Sequence, residues 1–215
     1  MVGQAVLREC LLDSEAAEVV ALVRSPLPVK HPKLREIVHA DMRDFSAIAG
    51  ELAGIDACFF CLGVSAAGLN EAGYARINYD IPIALAGTLL EQGGEIVFVY
   101  VSGAGTDSSE RGRIMWARVK GRTENRLLSL PFRAAYMFRP SVIIPRNGER
   151  SKTRWYRWFY SFTKPLHRLL LGIFPNHVLG SDELARAMLN AAKCGSGSRI
   201  IEIRDIRVLA AREIR

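Results

Sequence analysis

The stretch EIVFVYVSGAG (Glu95–Gly105) decides the fold. From Ile96 to Val101 every residue is apolar or aromatic, and three of the six are valine. A strand with one wet face alternates apolar and polar residues. An unbroken β-branched and aromatic run marks a strand covered on both faces, as in a parallel sheet. The run ends in Ser102-Gly103-Ala104-Gly105. In open α/β sheets ligands bind beyond the carboxyl ends of the strands, so the residues that follow each such run are the first candidates for a site.

Runs of the same kind recur on both sides. EVVALVR (18–24), REIVHAD (35–41), IDACFFCLG (55–63), RAAYMFRP (133–140) and RIIEI (199–203) are short, apolar and rich in β-branched residues. Between them lie amphipathic stretches: GQAVLRECLLD (3–13), DFSAIAGELAG (44–54), YARINYDIPIALAGTLLEQGG (74–94) and RIMWARVKGRTENRLLSL (113–130). Gly54, Gly93 and Gly94 fall where helix C-termini belong. Strand and helix in alternation predict a doubly wound α/β parallel sheet with right-handed crossovers, one domain over 1–215. After Pro140 the pattern changes. Residues 145–180 mix basic and aromatic residues, with Pro165 dividing them, and are read as a small helical cap over the substrate end of the sheet. SDELARAMLNAA (181–192) then reads as a helix with Ser181 as N-cap.

Composition bounds the function loosely. A chain of 215 residues that is 49% hydrophobic and 24% charged is globular rather than disordered. A net charge of +7 suits anionic partners such as phosphorylated cofactors, nucleic acid or membrane surfaces. Cys58 and Cys61 form a C-x-x-C inside a buried strand, where positions three apart face opposite sides. They are read as core residues, and no metal site is expected. No apolar run reaches the ~18–20 residues needed to span a bilayer. No secretory leader is read at Met1, so the expected location is the cytoplasm.

Taken in order, the strand ends are Arg24, then Asp41-Met42, Cys61-Leu62-Gly63 and Ser102, followed by a helix carrying Trp116 and Lys120. This series resembles the atypical short-chain dehydrogenase/reductase superfamily, single-domain NAD(P)-binding Rossmann proteins, and within it the TIP30-like and NAD-dependent epimerase-like groups. The resemblance runs from Met1 to about Ala192. It implies that Arg24 meets the 2′-phosphate of NADP, which favours NADP over NAD. It also implies that Asp41 bonds the adenine amine with Met42 beside the ring, and that Cys61, Leu62 and Gly63 pass under the cofactor. Asn78 matches a position that supports the active-site helix, with a surface amide as the plain alternative. Ser102 matches the serine that orients a substrate carbonyl. Lys120 matches the lysine of a Tyr-x-x-x-Lys pair, which binds the nicotinamide ribose and lowers the tyrosine's pKa.

Two departures stand out. Trp116 occupies the tyrosine's position, and an indole N–H donates a hydrogen bond but does not ionise near neutral pH. Tyr100 reads as core, and Tyr74 and Tyr79 have no positional support as substitutes. The dinucleotide fingerprint needs a first strand and a Gly-rich turn at a helix N-terminus. Here Gly3 is the one fingerprint glycine present, and the first strand of the sheet is missing. The expectation is that coding begins upstream and Met1 is internal; as given, the chain should bind NADP weakly and be marginally stable.

These readings predict an oxidoreductase moving hydride between NADP(H) and a small carbonyl or alcohol. A non-catalytic NADP-binding sensor or interaction module is the alternative. The basic aromatic segment 154–168 also suits a membrane surface or stacked nucleic acid. A lid folded over a small-molecule substrate is preferred, with no nucleic-acid partner expected. The outer faces of the lid helices offer a homodimer contact.

Overall fold

The computed structural model describes residues 1–146 and 178–212. In chain order the elements are α1 (Val2–Leu12), β1 (Val19–Val23), β2 (Leu34–Val38), a 3-10 segment (Ser46–Leu52) and β3 (Ala57–Phe60). One long helix follows in three parts, α2 (Glu71–Ala75), a π turn (Arg76–Asp80) and α3 (Ile81–Glu91). Then come β4 (Val97–Val101), α4 (Met115–Leu128), β5 (Ala134–Phe138) and β6 (Val142–Ile144). β7 (Val178–Gly180), α5 (Ser181–Cys194), β8 (Ile200–Ile201) and α6 (Ile203–Ala210) complete them.

The run that opened the sequence reading is the central strand. β4 lies between β3 and β5, parallel to both, and β8 extends the sheet beyond β5. Its alternating side chains feed two cores. Val97 and Val99, with Tyr136 and Phe138 of β5, pack under α1, α5 and α6 through Ala5, Val6, Leu184, Met188 and Ile206. Phe98 and Tyr100, with Ala135 and Met137, pack under Leu85 and Leu89 of α3, Leu127 of α4, and Phe45 and Ile48. Both faces are covered, so the strand could afford no polar residue. Cys58 belongs to the second core and Cys61 to the first, so the two thiols diverge as the strand period requires. Burial pushes both thiols up to about 12, which keeps them protonated and inert. Among the described residues no group of His, Cys, Asp or Glu could hold a metal ion.

The expected gap is present. β1 and β2 form a parallel sheet of their own, and no strand-to-strand hydrogen bond joins β1 to β3 among the described residues. Side chains bridge the break: Val19 reaches the first core, while Val20, Leu22 and Ile37 reach the second. Every residue of β1 remains half-buried, in contrast to the buried β4.

Several sequence expectations need correction. The stretch 44–54 forms a 3-10 segment rather than an amphipathic α-helix, with Phe45, Ile48 and Leu52 buried. Ser181 is the first helical residue of α5, and Gly180 is the N-cap. The Ser181 hydroxyl is drawn instead to the Arg146 N–H, at 3.1 Å. The cap read as helical over 145–180 ends in a strand, because Val178–Gly180 pairs in parallel with Val142–Ile144. Its remainder, with the basic aromatic segment 154–168, lies outside the described residues. The run RIIEI yields two strand residues, and Ile203 already begins α6.

One close approach fixes the loop after β4. Asp107 N–H donates to the Ala117 carbonyl at 3.1 Å, laying the loop on α4. The Asp107 carboxylate closes the loop by accepting from Gly112 N at 2.6 Å and Ser109 N at 3.0 Å. A Cβ at Gly121 would stand 1.8 Å from the Asp107 carbonyl oxygen. Gly121→Ala must therefore push the loop off the helix. The expected loss is about 1–3 kcal/mol of unfolding free energy, the usual range for overpacking, measured by urea denaturation.

Candidate functional site

At the carboxyl end of β4, three elements meet. Lys120 lies one turn after Trp116 on α4, so the two share a face. The Lys120 ammonium donates to the Ser102 carbonyl at 2.6 Å and the Val101 carbonyl at 3.3 Å. It also stands 5.8 Å from the centre of the Tyr100 ring. Burial pulls its pKa down to about 8, against the pull of the Glu124 carboxylate one turn further on. Glu124 is fully buried and held by Arg139, whose Nε stands 3.1 Å from Oε1. That pair ties α4 to the end of β5 and fixes the frame on which Lys120 is mounted.

Trp116 sits in a small apolar cluster with Tyr74, Val119, Ala66 and Tyr79. Its indole edge would be 3.7 Å from a Cβ at Gly105, a residue with φ of +83° that favours glycine in any case. The Ser102 hydroxyl is turned into the sheet and donates to the Phe138 carbonyl at 3.0 Å. Tyr100 is core, as read, with its hydroxyl on the Asn78 carbonyl at 3.2 Å. Tyr74 is buried, which pushes its phenol up to about 12. Tyr79 stacks against the Arg122 guanidinium at 4.2 Å.

The residue that the sequence undervalued is Asn78. A surface amide is excluded, because Asn78 is 1% exposed. It lies in the π turn, and Pro82, four residues on, has no N–H to donate to its main-chain carbonyl. That carbonyl accepts from Tyr100 Oη at 3.2 Å and lies 2.8 Å from Thr123 Oγ1, whose single proton it shares with the Val119 carbonyl, also at 2.8 Å. The side-chain Nδ2 donates to Tyr74 O at 3.2 Å, while Oδ1 has no hydrogen-bond partner. A Cβ at Gly63 would meet that oxygen at 3.4 Å. An unpaired buried acceptor costs on the order of 1–3 kcal/mol. The signal in the sequence was phase: Asn78 keeps helical spacing with the buried Tyr74, Ile81 and Leu85.

The remaining predicted positions fall into two groups. Cys61, Leu62 and Gly63 follow β3, and Gly3 at the start of α1 lies against Cys61, its Cβ position 3.4 Å from that of the cysteine. These stand in the four-stranded half with Ser102 and Lys120. Arg24 and Asp41 are exposed just beyond β1 and β2, in the separate two-stranded sheet, with Met42 half-buried beside them. Asp41 Oδ1 accepts from the Arg43 N–H at 3.0 Å.

Residues 1–126 match a family model described as NAD(P)H-binding. The chain belongs to that family. The resemblance to atypical short-chain dehydrogenase/reductases read from the sequence is supported by this family model, by the curated relatives and by the fold of the structural neighbours. Protein FMP52, mitochondrial, of Eremothecium gossypii is 30% identical over 69% of this chain and 63% of its own length. Protein fmp-52, mitochondrial, of Neurospora crassa is 27% identical over 90% of this chain and 81% of its own. Protein HTATIP2 of Rattus norvegicus is 26% identical over 71% of this chain and 63% of its own. The chain thus spans less than two thirds of the first and third of these relatives. Solved structures share the fold. WbmF of Bordetella bronchiseptica, in complex with NAD+, superposes with a TM-score of 0.67 at 15% identity, covering 97% of this chain and 73% of that one. DesIV of Streptomyces venezuelae, a dTDP-glucose 4,6-dehydratase with NAD and DAU bound, gives 0.65 at 18% identity, covering 97% and 76%.

The residues of this NAD(P)H-binding protein fit the dinucleotide. Gly63 at the end of β3 presents main chain without a side chain, and an ammonium stands at the neighbouring strand end. Hydroxyl-rich ribose suits that pair. Lys120 also makes stability depend on pH. Its pKa is lowered on folding, so between about pH 8 and 10.5 the folded state binds fewer protons than the unfolded chain. Stability from this group therefore rises across that window and is lowest below it. Lys120→Met should raise unfolding free energy at pH 7, and its advantage should shrink as pH climbs from 8 to 10.5, followed by urea melts at each pH.

Proposed function

We propose that the chain is an NADP-dependent oxidoreductase acting on a small carbonyl or alcohol. The observation that supports this most is the placement of Lys120, whose ammonium is fixed at the carboxyl end of β4 within 2.6 Å of the Ser102 carbonyl. When bound, the cofactor supplies or takes up hydride. The protein's own residues do the rest. Lys120 holds ribose hydroxyls, Gly63 lets the backbone approach, and Asp41 accepts from the adenine amine. The exposed Arg24 pairs with the 2′-phosphate, which favours NADP. Ser102 serves a substrate oxygen once its hydroxyl rotates away from Phe138 O. Trp116 can steer that oxygen through its indole N–H but gives up no proton, so the proton that accompanies the hydride is drawn from solvent water.

A second reading is favoured by two observations. Trp116 is packed into an apolar cluster, and the Ser102 hydroxyl is already engaged by the sheet. Both suit a cofactor-binding sensor that has set catalysis aside. We place the protein in the cytoplasm; cell fractionation beside a mitochondrial marker tests this against the mitochondrial names of the fungal relatives.

NADPH fluorescence titration should show binding, and Lys120→Ala should weaken it about ten- to a hundredfold, the worth of hydrogen bonds to a charged group. Arg24→Ala should erase the preference for NADPH over NADH. Trp116→Tyr should raise NADPH oxidation across an aldehyde and ketone panel by about a hundredfold or more, the usual yield of a positioned general acid. Binding without turnover in either form would favour the sensor.

A further inference from the structure

We propose that the outer face of α4, with the adjoining turns of the long helix, binds the phosphate backbone of a nucleic acid. This goes beyond the cofactor reading and does not depend on it.

Five exposed guanidiniums gather there with no carboxylate partner among the described residues: Arg76, Arg111, Arg113, Arg122 and Arg126. Arg118 ties them into one surface. Its Nη1 donates to the carbonyl of Gly112, between Arg111 and Arg113, at 2.7 Å, and its Nη2 to Glu71 of α2 at 2.6 Å. Arg76 lies between Glu71 and Tyr79 on the long helix, and the Arg122 guanidinium stands 4.2 Å from the Tyr79 ring centre. Arg118, Arg122 and Arg126 recur every fourth residue, so they form one stripe with steps of about 6 Å along α4. A chain of phosphates laid along the stripe can meet each in turn. The stripe is two residues out of phase with Trp116 and Lys120, which turns it away from the strand-end site.

The chemistry of the face suits a polyanion. Glu71, Asp80 and Glu110 offset only part of its charge. Stacking on Tyr79 fixes the plane of the Arg122 guanidinium and leaves its N–H edge free for phosphate oxygens. A protein partner would need an apolar centre. Leu69 and Ile114, the exposed large apolar residues nearest the face, stand ahead of the first turns of α2 and α4, at its rim. A phosphate backbone needs no such centre, because its binding is electrostatic. The sequence reading expected no nucleic-acid partner, since Arg76 and the arginines of 111–126 converge only in the fold.

Fluorescence anisotropy with a labelled RNA strand and a labelled DNA duplex tests this on the full chain. Binding should be measurable at about 50 mM salt and, with four phosphates neutralised, should weaken roughly a hundredfold by about 200 mM. Arg122→Glu with Arg126→Glu should weaken it by at least about tenfold. Arg8→Glu with Arg204→Glu makes the same charge change on α1 and α6, in the layer across the sheet, and should leave binding within about twofold. A preference for RNA or for DNA names the source and supports the proposal either way. Absence of binding at low salt would overturn it. Equal loss in both double variants would also overturn it, since the net charge of +7 would then be cause enough. Tighter binding of polyglutamate than of either nucleic acid would make the partner an acidic protein instead. A dimer in sedimentation that Arg126→Glu dissolves would make it a second copy. If the glutamate variant fails to fold, Arg122→Gln with Arg126→Gln carries the test. NADPH affinity should be unchanged in these variants, so the outcome stands apart from that of the cofactor reading.

Discussion

One main-chain carbonyl holds the working part of this molecule together. At the π turn Arg76–Asp80, Pro82 has no N–H for the Asn78 carbonyl, and hydroxyls from two other elements approach it instead. Tyr100 comes from the central strand and Thr123 from α4. Because all three elements share this acceptor, the placement of Lys120 relative to the long helix and the end of β4 is set by hydrogen bonds as well as by packing. Apolar packing tolerates small slides at little cost, whereas a hydrogen bond weakens steeply with misalignment. A site that must place a ligand against two strand ends gains from that stiffness.

The same elements show why the tryptophan fits where a tyrosine is expected. The position is apolar on the side that faces Tyr74 and Val119, and Gly105 passes beside the indole edge. An indole fills that space without leaving a buried phenol in search of a partner. The lysine next to it keeps its bonds to the strand, so losing the phenol does not loosen the cation. Cofactor binding and proton transfer are thus separable here, since the groups behind each depend on different neighbours.

Much of this was legible in the sequence. Apolar runs located six strands, β1 to β5 and β8, and the strand period sends the two thiols of the C-x-x-C into different cores. Gly54, Gly93 and Gly94 mark helix ends and do adopt positive φ, from +74° to +97°. What escaped detection depends on tertiary partners. RINYD reads as ordinary helix, although Pro82, which has no N–H for the Asn78 carbonyl, already marks where the winding changes. Ser181 has the composition of an N-cap, but an N–H from another segment claimed its hydroxyl. The C-terminal helix was hidden behind a strand-like RIIEI, although Glu202 and Asp205 already carried the spacing of a helix start.

The break between β1 and β3 has a mechanical meaning. Arg24 and Asp41 ride on one hydrogen-bonded unit, and Gly63, Ser102 and Lys120 on another, with side-chain packing across the seam. In the proposed complex a dinucleotide that touches both units would act as a rivet through two plates. Its contacts on each would resist shear between them, and the ligand would be a structural member of the protein that holds it.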